Sequence, residues 1–143
     1  MKGQIIFSYQ TASRLPKDKV KLKSFIASIF KKERTGLCHI RFIFCSDEYL
    51  YEMNRLHLNH DEYTDVITFF YSSIGEPVVS EAYISLDRVR ENAILYDSTL
   101  TQELHRVIFH SVLHLCGYND KKPIEQSEMR KREDHYLKLY LNS

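Results

Sequence analysis

The sequence predicts an α/β chain of the α+β kind, a small mixed sheet of about four strands packed with about five helices, one of them a buried central helix carrying a His-x-x-x-His pair. Three observations predict it. β-prone runs alternate with stretches of helical period along the chain. The run around Phe109 is apolar on nearly every side apart from its histidines, as befits an inner helix. The 143 residues, 43% hydrophobic and 27% charged, contain no repeat, low-complexity run or evident linker, which suits one domain over residues 1–143 with a core of its own.

In chain order, residues 5–9 form a short β-rich run. Pro16 at a first-turn position then precedes Leu22, Phe25, Ile26, Ile29 and Phe30, an apolar stripe at helical spacing. Residues 38–45 put Ile40, Phe42 and Phe44 on one alternating face with His39 and Arg41 on the other, the pattern of a strand. Ser46 is a good N-cap for a helix over residues 47–58, with Asp47 and Glu48 in the first turn where the helix dipole favours them; Asn59-His-Asp-Glu breaks it. Residues 66–71 and 78–85 are β-prone and separated by turn residues, which predicts a hairpin. A short helix with Leu86, Val89 and Ala93 inward follows Ser85. Thr99, with Gln102 three residues on, caps the His-x-x-x-His helix, and a charged helix starts at Pro123.

The ends and composition exclude several classes. The N-terminal apolar run is too short for a signal peptide or membrane span, which points to the cytoplasm. Cys38, Cys45 and Cys116 are odd in number and lack Cys-x-x-Cys spacing, so they read as reduced core residues. A net charge of +1 leaves no overall polyanion footprint and no expectation of DNA binding, although residues 14–34 hold eight basic and two acidic side chains. That basic helix face has the chemistry to hold RNA backbone; it is equally what a solvated helix face looks like.

The chemistry concentrates at residues 109–120. On a helix His110 and His114 stack on one face about 6 Å apart along the axis, so both imidazoles can reach one cation. Gly117 stops the helix in a left-handed cap and turns the chain so that Asp120 can approach the same side. Such a pair alone is as often two histidines with ordinary hydrogen bonds; the apolar surroundings, the glycine and the carboxylate favour a metal. Glu125, Glu128 and His135 are rival third donors. Three protein ligands with an open fourth position is the catalytic arrangement of zinc, one ion per chain, where bound water reaches a pKa near 7; two histidines and a carboxylate also serve iron(II), so another divalent metal stays open. A peptidase would need glutamate straight after the first histidine, where Ser111 stands.

The run His110-Ser-Val-Leu-His114-Leu-Cys-Gly117-Tyr118-Asn-Asp120 resembles the metal motif of the YbeY family of endoribonucleases and rRNA maturation factors, His-Gly-x-Leu-His-Leu-x-Gly-Tyr-Asp-His. Ser111 stands at a family glycine and Asp120 at the third histidine ligand, a change of ligand type and not of ligand count. A second stretch resembles the family's Leu-Asn-x-x-x-Arg and Thr-Asp-Val-Leu-Ser-Phe at Asn54, Thr64, Asp65, Val66 and Phe69, with Leu58 in place of the arginine. Arg55, one turn earlier, is the candidate to replace it. Asp65 reads equally as a turn residue and as a group near the metal. Ser80 and Glu81 stand for the glycine and aspartate of Leu-Gly-Asp-Ile-x-Ile-Ser. Glu103, two turns before His110, and Glu81 are candidates for a general base or a partner of the ligands, beside surface or capping roles. The resemblance implies a zinc-dependent, single-strand-specific endoribonuclease that matures the 3′ end of 16S rRNA, with single-stranded RNA, rRNA and the small ribosomal subunit as partners. A non-catalytic ribosome-assembly factor with a structural metal, and a metallohydrolase of another bond, are the alternatives.

Overall fold

A computed structural model describes residues 3–58 and 64–143, leaving aside the side chain of Leu58. The order is β1 (Gln4–Tyr9), α1 (Lys19–Lys32), β2 (Leu37–Cys45), α2 (Asp47–Leu58), β3 (Val66–Phe70), β4 (Val78–Ser85), α3 (Leu86–Leu95), α4 (Leu100–Leu115) and α5 (Pro123–Leu141). This is the expected mixed α+β arrangement. The sheet runs β1-β2-β4-β3. β1 and β4 flank β2 in parallel, and β3 closes the edge antiparallel to β4, which is the predicted hairpin.

Register explains the small residues on β4. Ser80 and Ala82 lie opposite Ile40 and Phe42, so small faces large across the pair, and all four side chains are fully buried. The Ser80 hydroxyl, standing at a family glycine, donates to the Phe69 carbonyl at 2.6 Å, so its burial leaves nothing unpaired. Leu22, Ile26, Ile29 and Phe30 of α1 join the same core as Ile40, Phe42 and Phe44. On the other side Leu50 of α2 packs with Cys45 and Ile67. Each such side chain contributes about 1.5–3 kcal/mol by leaving water.

Three local expectations need correction. Pro16 is not in the first turn of α1, which begins at Lys19 after Asp18 in a left-handed conformation (φ 52°). Cys38 is exposed, whereas Cys45 is buried and Cys116 partly so. The stretch at Phe109 is not apolar all round: Leu104, Val107, Ile108, Phe109, Val112 and Leu113 are buried, but Arg106, His110 and His114 form a polar edge. The break expected at residues 59–62 lies outside the described residues.

α4 lies against α3 and α5 and touches α1, β3 and β4. Its start follows the predicted chemistry, with the Thr99 hydroxyl accepting from Gln102 N–H at 3.0 Å. The polar edge of α4 runs along its seam with α5, and the site is built there.

Candidate metal centre

Gly117 sets the site's geometry. Its φ of +104° is open to glycine and costly for other residues. Gly117 N–H bonds to His114 C=O and Tyr118 N–H to Leu113 C=O, each at 3.1 Å, which is the paired closure of a Schellman cap. The reversed chain brings Asp120 back over α4. Its Oδ2 lies 3.2 Å from His110 Nε2 and its Oδ1 3.8 Å from His114 Nε2, while the two imidazole centroids are 5.7 Å apart.

The far nitrogen of each ring is tied to an acceptor. His110 Nδ1 meets Glu133 Oε2 at 2.6 Å, and His114 Nδ1 meets the Tyr118 carbonyl at 2.7 Å. A carbonyl only accepts, so His114 carries its proton on Nδ1; a carboxylate imposes the same tautomer on His110. The Nε2 atoms of both rings face the Asp120 carboxylate. Among the described residues no three His, Cys, Asp or Glu side chains are already closed into a metal cage. The donor chemistry fits a cation nonetheless: two ligand atoms about 2.0–2.1 Å from a tetrahedral ion are themselves about 3.3 Å apart, close to the His110–Asp120 separation, and both nitrogens have a partner fixing the tautomer. Without a cation, burial opposes charge on His110, but Glu133, Asp65 and Asp120 outweigh it and raise its pKa.

Two cavities adjoin the site, one touching all three donors and the other His110 and Asp120. One, of about 510 Å³, includes Asn54, Thr64, Asp65, Thr68 and Lys121 in its lining. The other, of about 360 Å³, reaches along the α4–α5 seam past Asp65, Glu103, Arg106, Arg130 and Glu133. Asp65 lines both and is pushed upward in pKa by burial, against the nearby charge of His110; Glu103 is raised by burial too. Arg106 reaches across to α5, bonding Glu133 at 3.0 Å and Asp134 at 2.7 Å.

The structure thus brings His110, His114 and Asp120 together and adds Asp65. Glu103 is not a surface or capping residue: it is 6% exposed and lines the seam cavity. Arg55 is exposed and bonds Glu52 on its own helix at 2.8 Å. The side chain of Leu58 lies outside the described residues. Glu81 accepts from Tyr71 O–H at 2.8 Å on the hairpin. Of the rival donors, Glu125 caps α5 through Lys122 N–H, Glu128 pairs with Lys131, and His135 packs against Tyr136. Ser111 turns into the core, its hydroxyl bonding the Val107 carbonyl at 2.8 Å, so it leaves the site untouched where the family has glycine.

Sequence reasoning missed Glu133, Arg106 and the Tyr118 carbonyl. A signal for Glu133 was present: Met129, Glu133, Tyr136 and Tyr140 recur at helical spacing and all four are buried, so a carboxylate sits inside an apolar stripe. It missed Glu33 as well, at the end of α1, which accepts from Tyr118 O–H at 2.8 Å and from Tyr136 O–H, pinning the loop whose carbonyl orients His114.

Residues 6–141 match the model of the family described as Endoribonuclease YbeY. A protein named Endoribonuclease YbeY from Cytophaga hutchinsonii is 42% identical over 97% of this chain and 98% of its own length. One of the same name from Flavobacterium psychrophilum is 40% identical over 95% and 96%. The fold is similar to a solution structure of a Thermotoga maritima protein, with a TM-score of 0.69 at 28% identity, covering 97% of this chain and 89% of that one.

Proposed function

From the premise that this chain belongs to the YbeY endoribonuclease family, and so is a hydrolase of phosphodiester bonds, we propose that residues 1–143 act as one zinc-dependent domain that cuts single-stranded RNA, in the cytoplasm, during maturation of the 3′ end of 16S rRNA on the small ribosomal subunit. The observation that carries the reading is the convergence of His110 Nε2, His114 Nε2 and an Asp120 oxygen with both Nδ1 atoms already engaged. These three residues would hold the ion. Zinc bound there supplies Lewis-acid chemistry, activating water and polarising a phosphoryl oxygen.

The chain's own groups do the rest. Glu133 and the Tyr118 carbonyl keep the imidazoles in the tautomer that leaves Nε2 free. Lys121 and Asn54 line the cleft beside the three donors, where an ammonium and an amide can bind a phosphate and orient the strand. Asp65, its pKa raised by burial, lines the same cleft, where its protonated carboxyl would give a proton to the leaving oxygen. Among the described residues no helix is long and apolar enough to cross a membrane.

Cleavage of a single-stranded oligoribonucleotide and of its duplex by purified protein tests the reading. Expected is cutting of the single strand only, abolished by chelator, restored by zinc, and reduced about a thousandfold or more in His114→Ala. Cleavage that survives chelator and His114→Ala belongs to a contaminant. Tight RNA binding with no cleavage at any metal loading would overturn the enzyme in favour of an assembly factor.

A further inference from the structure

Beyond the metal centre a separate cavity of about 390 Å³ opens where the start of α4, the C-terminal half of α5 and α1 meet. Its lining includes Lys21 from α1, Lys138 from α5, Leu137, Leu141 and His105, with Asp134 held by Arg106. His105 has no part in the reading above. Its ring stacks on Phe109 at 6.1 Å and 20° and meets Tyr140 edge-on at 4.8 Å, while Lys21 Nζ sits 4.7 Å from the Tyr140 ring centre. Burial and the Lys21 charge hold the imidazole neutral, its pKa pushed down to about 4. A neutral imidazole offers one donor and one acceptor, the complement of a base edge.

The cavity neighbours the one beside His110. Arg106 lines this cavity and the one beside His110, and its bridges to Glu133 and Asp134 are the partition between them along the α4–α5 seam. Five residues of helix separate His105 from His110, an axial rise of about 7.5 Å. Lys21 also belongs to the basic stretch of residues 14–34, whose eight basic and two acidic side chains the metal centre leaves unused.

We propose that this cavity is a nucleotide subsite for single-stranded RNA, taking a base against His105 and the Leu137–Leu141 wall and the adjoining phosphate between Lys21 and Lys138. It rests on the reading of the cleft as a ribonuclease site, and it gives the strand a track along the seam from the cleft to α1. An apolar pocket with hydrogen-bonding groups and cations in its lining suits a base joined to a phosphate.

The test has two arms. Adenosine 5′-monophosphate is titrated into the full chain while the His105 ring resonances are followed by NMR; they shift and saturate, and shift at least about fivefold less at equal ligand in Lys21→Glu/Lys138→Glu. Inorganic phosphate alone leaves them in place. In the second arm, the same double variant lowers kcat/KM for an oligoribonucleotide of about ten nucleotides by about tenfold, spares a trinucleotide within about twofold, and Lys131→Glu, an exposed charge reversal elsewhere on α5, changes neither. Equal shifts with phosphate, silent ring resonances, or equal losses in Lys131→Glu overturn the subsite. If the wild type cuts no RNA, the ribonuclease reading fails while the nucleotide titration still decides the cavity.

Discussion

His105 and His110 lie five residues apart on one helix, both partly buried and both beside an aromatic or imidazole ring, yet their acid–base properties move in opposite directions. His110 faces the carboxylates of Glu133, Asp65 and Asp120 and is raised; His105 faces Phe109, Tyr140 and Lys21 and is pushed down to about 4. Burial opposes the charged form at both, so burial is not what separates them. The neighbouring charges are: Glu133 of α5, with Asp65 and Asp120, raises His110, whereas Lys21 of α1 adds to burial in lowering His105. The same residue type thereby faces carboxylates at one end of the helix and an aromatic, cation-flanked wall at the other.

The comparison breaks most completely at Asp120. With Asp120→Ala only two imidazoles of one helix remain, and zinc affinity measured by chelator competition should fall about a hundredfold or more, with the zinc-dependent gain in thermal stability lost in parallel. Asp120→His should keep stoichiometric zinc, because it restores the ligand type found in the family motif. Retained zinc in Asp120→Ala alongside loss in Glu125→Ala or His135→Ala would move the third ligand elsewhere.

A smaller effect is expected at Glu133, which acts through His110. Glu133→Ala removes the acceptor that fixes the Nδ1–H tautomer and one of the two partners of Arg106. Zinc affinity should drop about 10–100-fold, with Glu133→Gln retaining part of it because an amide oxygen still accepts. The tautomer itself is readable from imidazole ¹⁵N shifts: His110 should lose its Nδ1–H preference in Glu133→Ala while His114, tied to a carbonyl, keeps it. An unchanged His110 tautomer would reduce Glu133 to a packing residue.

What was legible in the sequence follows from range. Strands, caps and the hairpin are written in local spacing, and Thr99, Ser85 and Gly117 act where local chemistry places them. His110, His114 and Asp120 fall within eleven residues, and a helix plus one glycine fixes their relation. Glu133 and Glu33 are 23 and 85 residues from the groups they hold, His110 and Tyr118, and only the packing of α5 and α1 onto α4 brings them there.

The smallest effect sharpens the other half of the comparison. The folded chain resists protonating His105 until pH falls to about 4, whereas the unfolded chain takes up that proton near the ordinary value of 6.5. Between those values the unfolded state holds more protons at this site, so its contribution to stability declines as pH falls from about 6.5 toward 4. His110, raised in the metal-free protein, tilts the curve the other way: its contribution is present below 6.5 and is lost as pH rises through its folded pKa. Asp18, Lys21 and the carboxylates of the seam are common to both proteins, so the useful quantity is a difference. In His105→Gln, measured by urea unfolding with chelator present, the stability gap to the wild type should narrow by about 2 kcal/mol between pH 7.5 and pH 5, since the variant has no proton to take up. A gap that stays constant over that range would place His105 in an environment no different from water, and would remove the neutral imidazole from the wall of the second cavity.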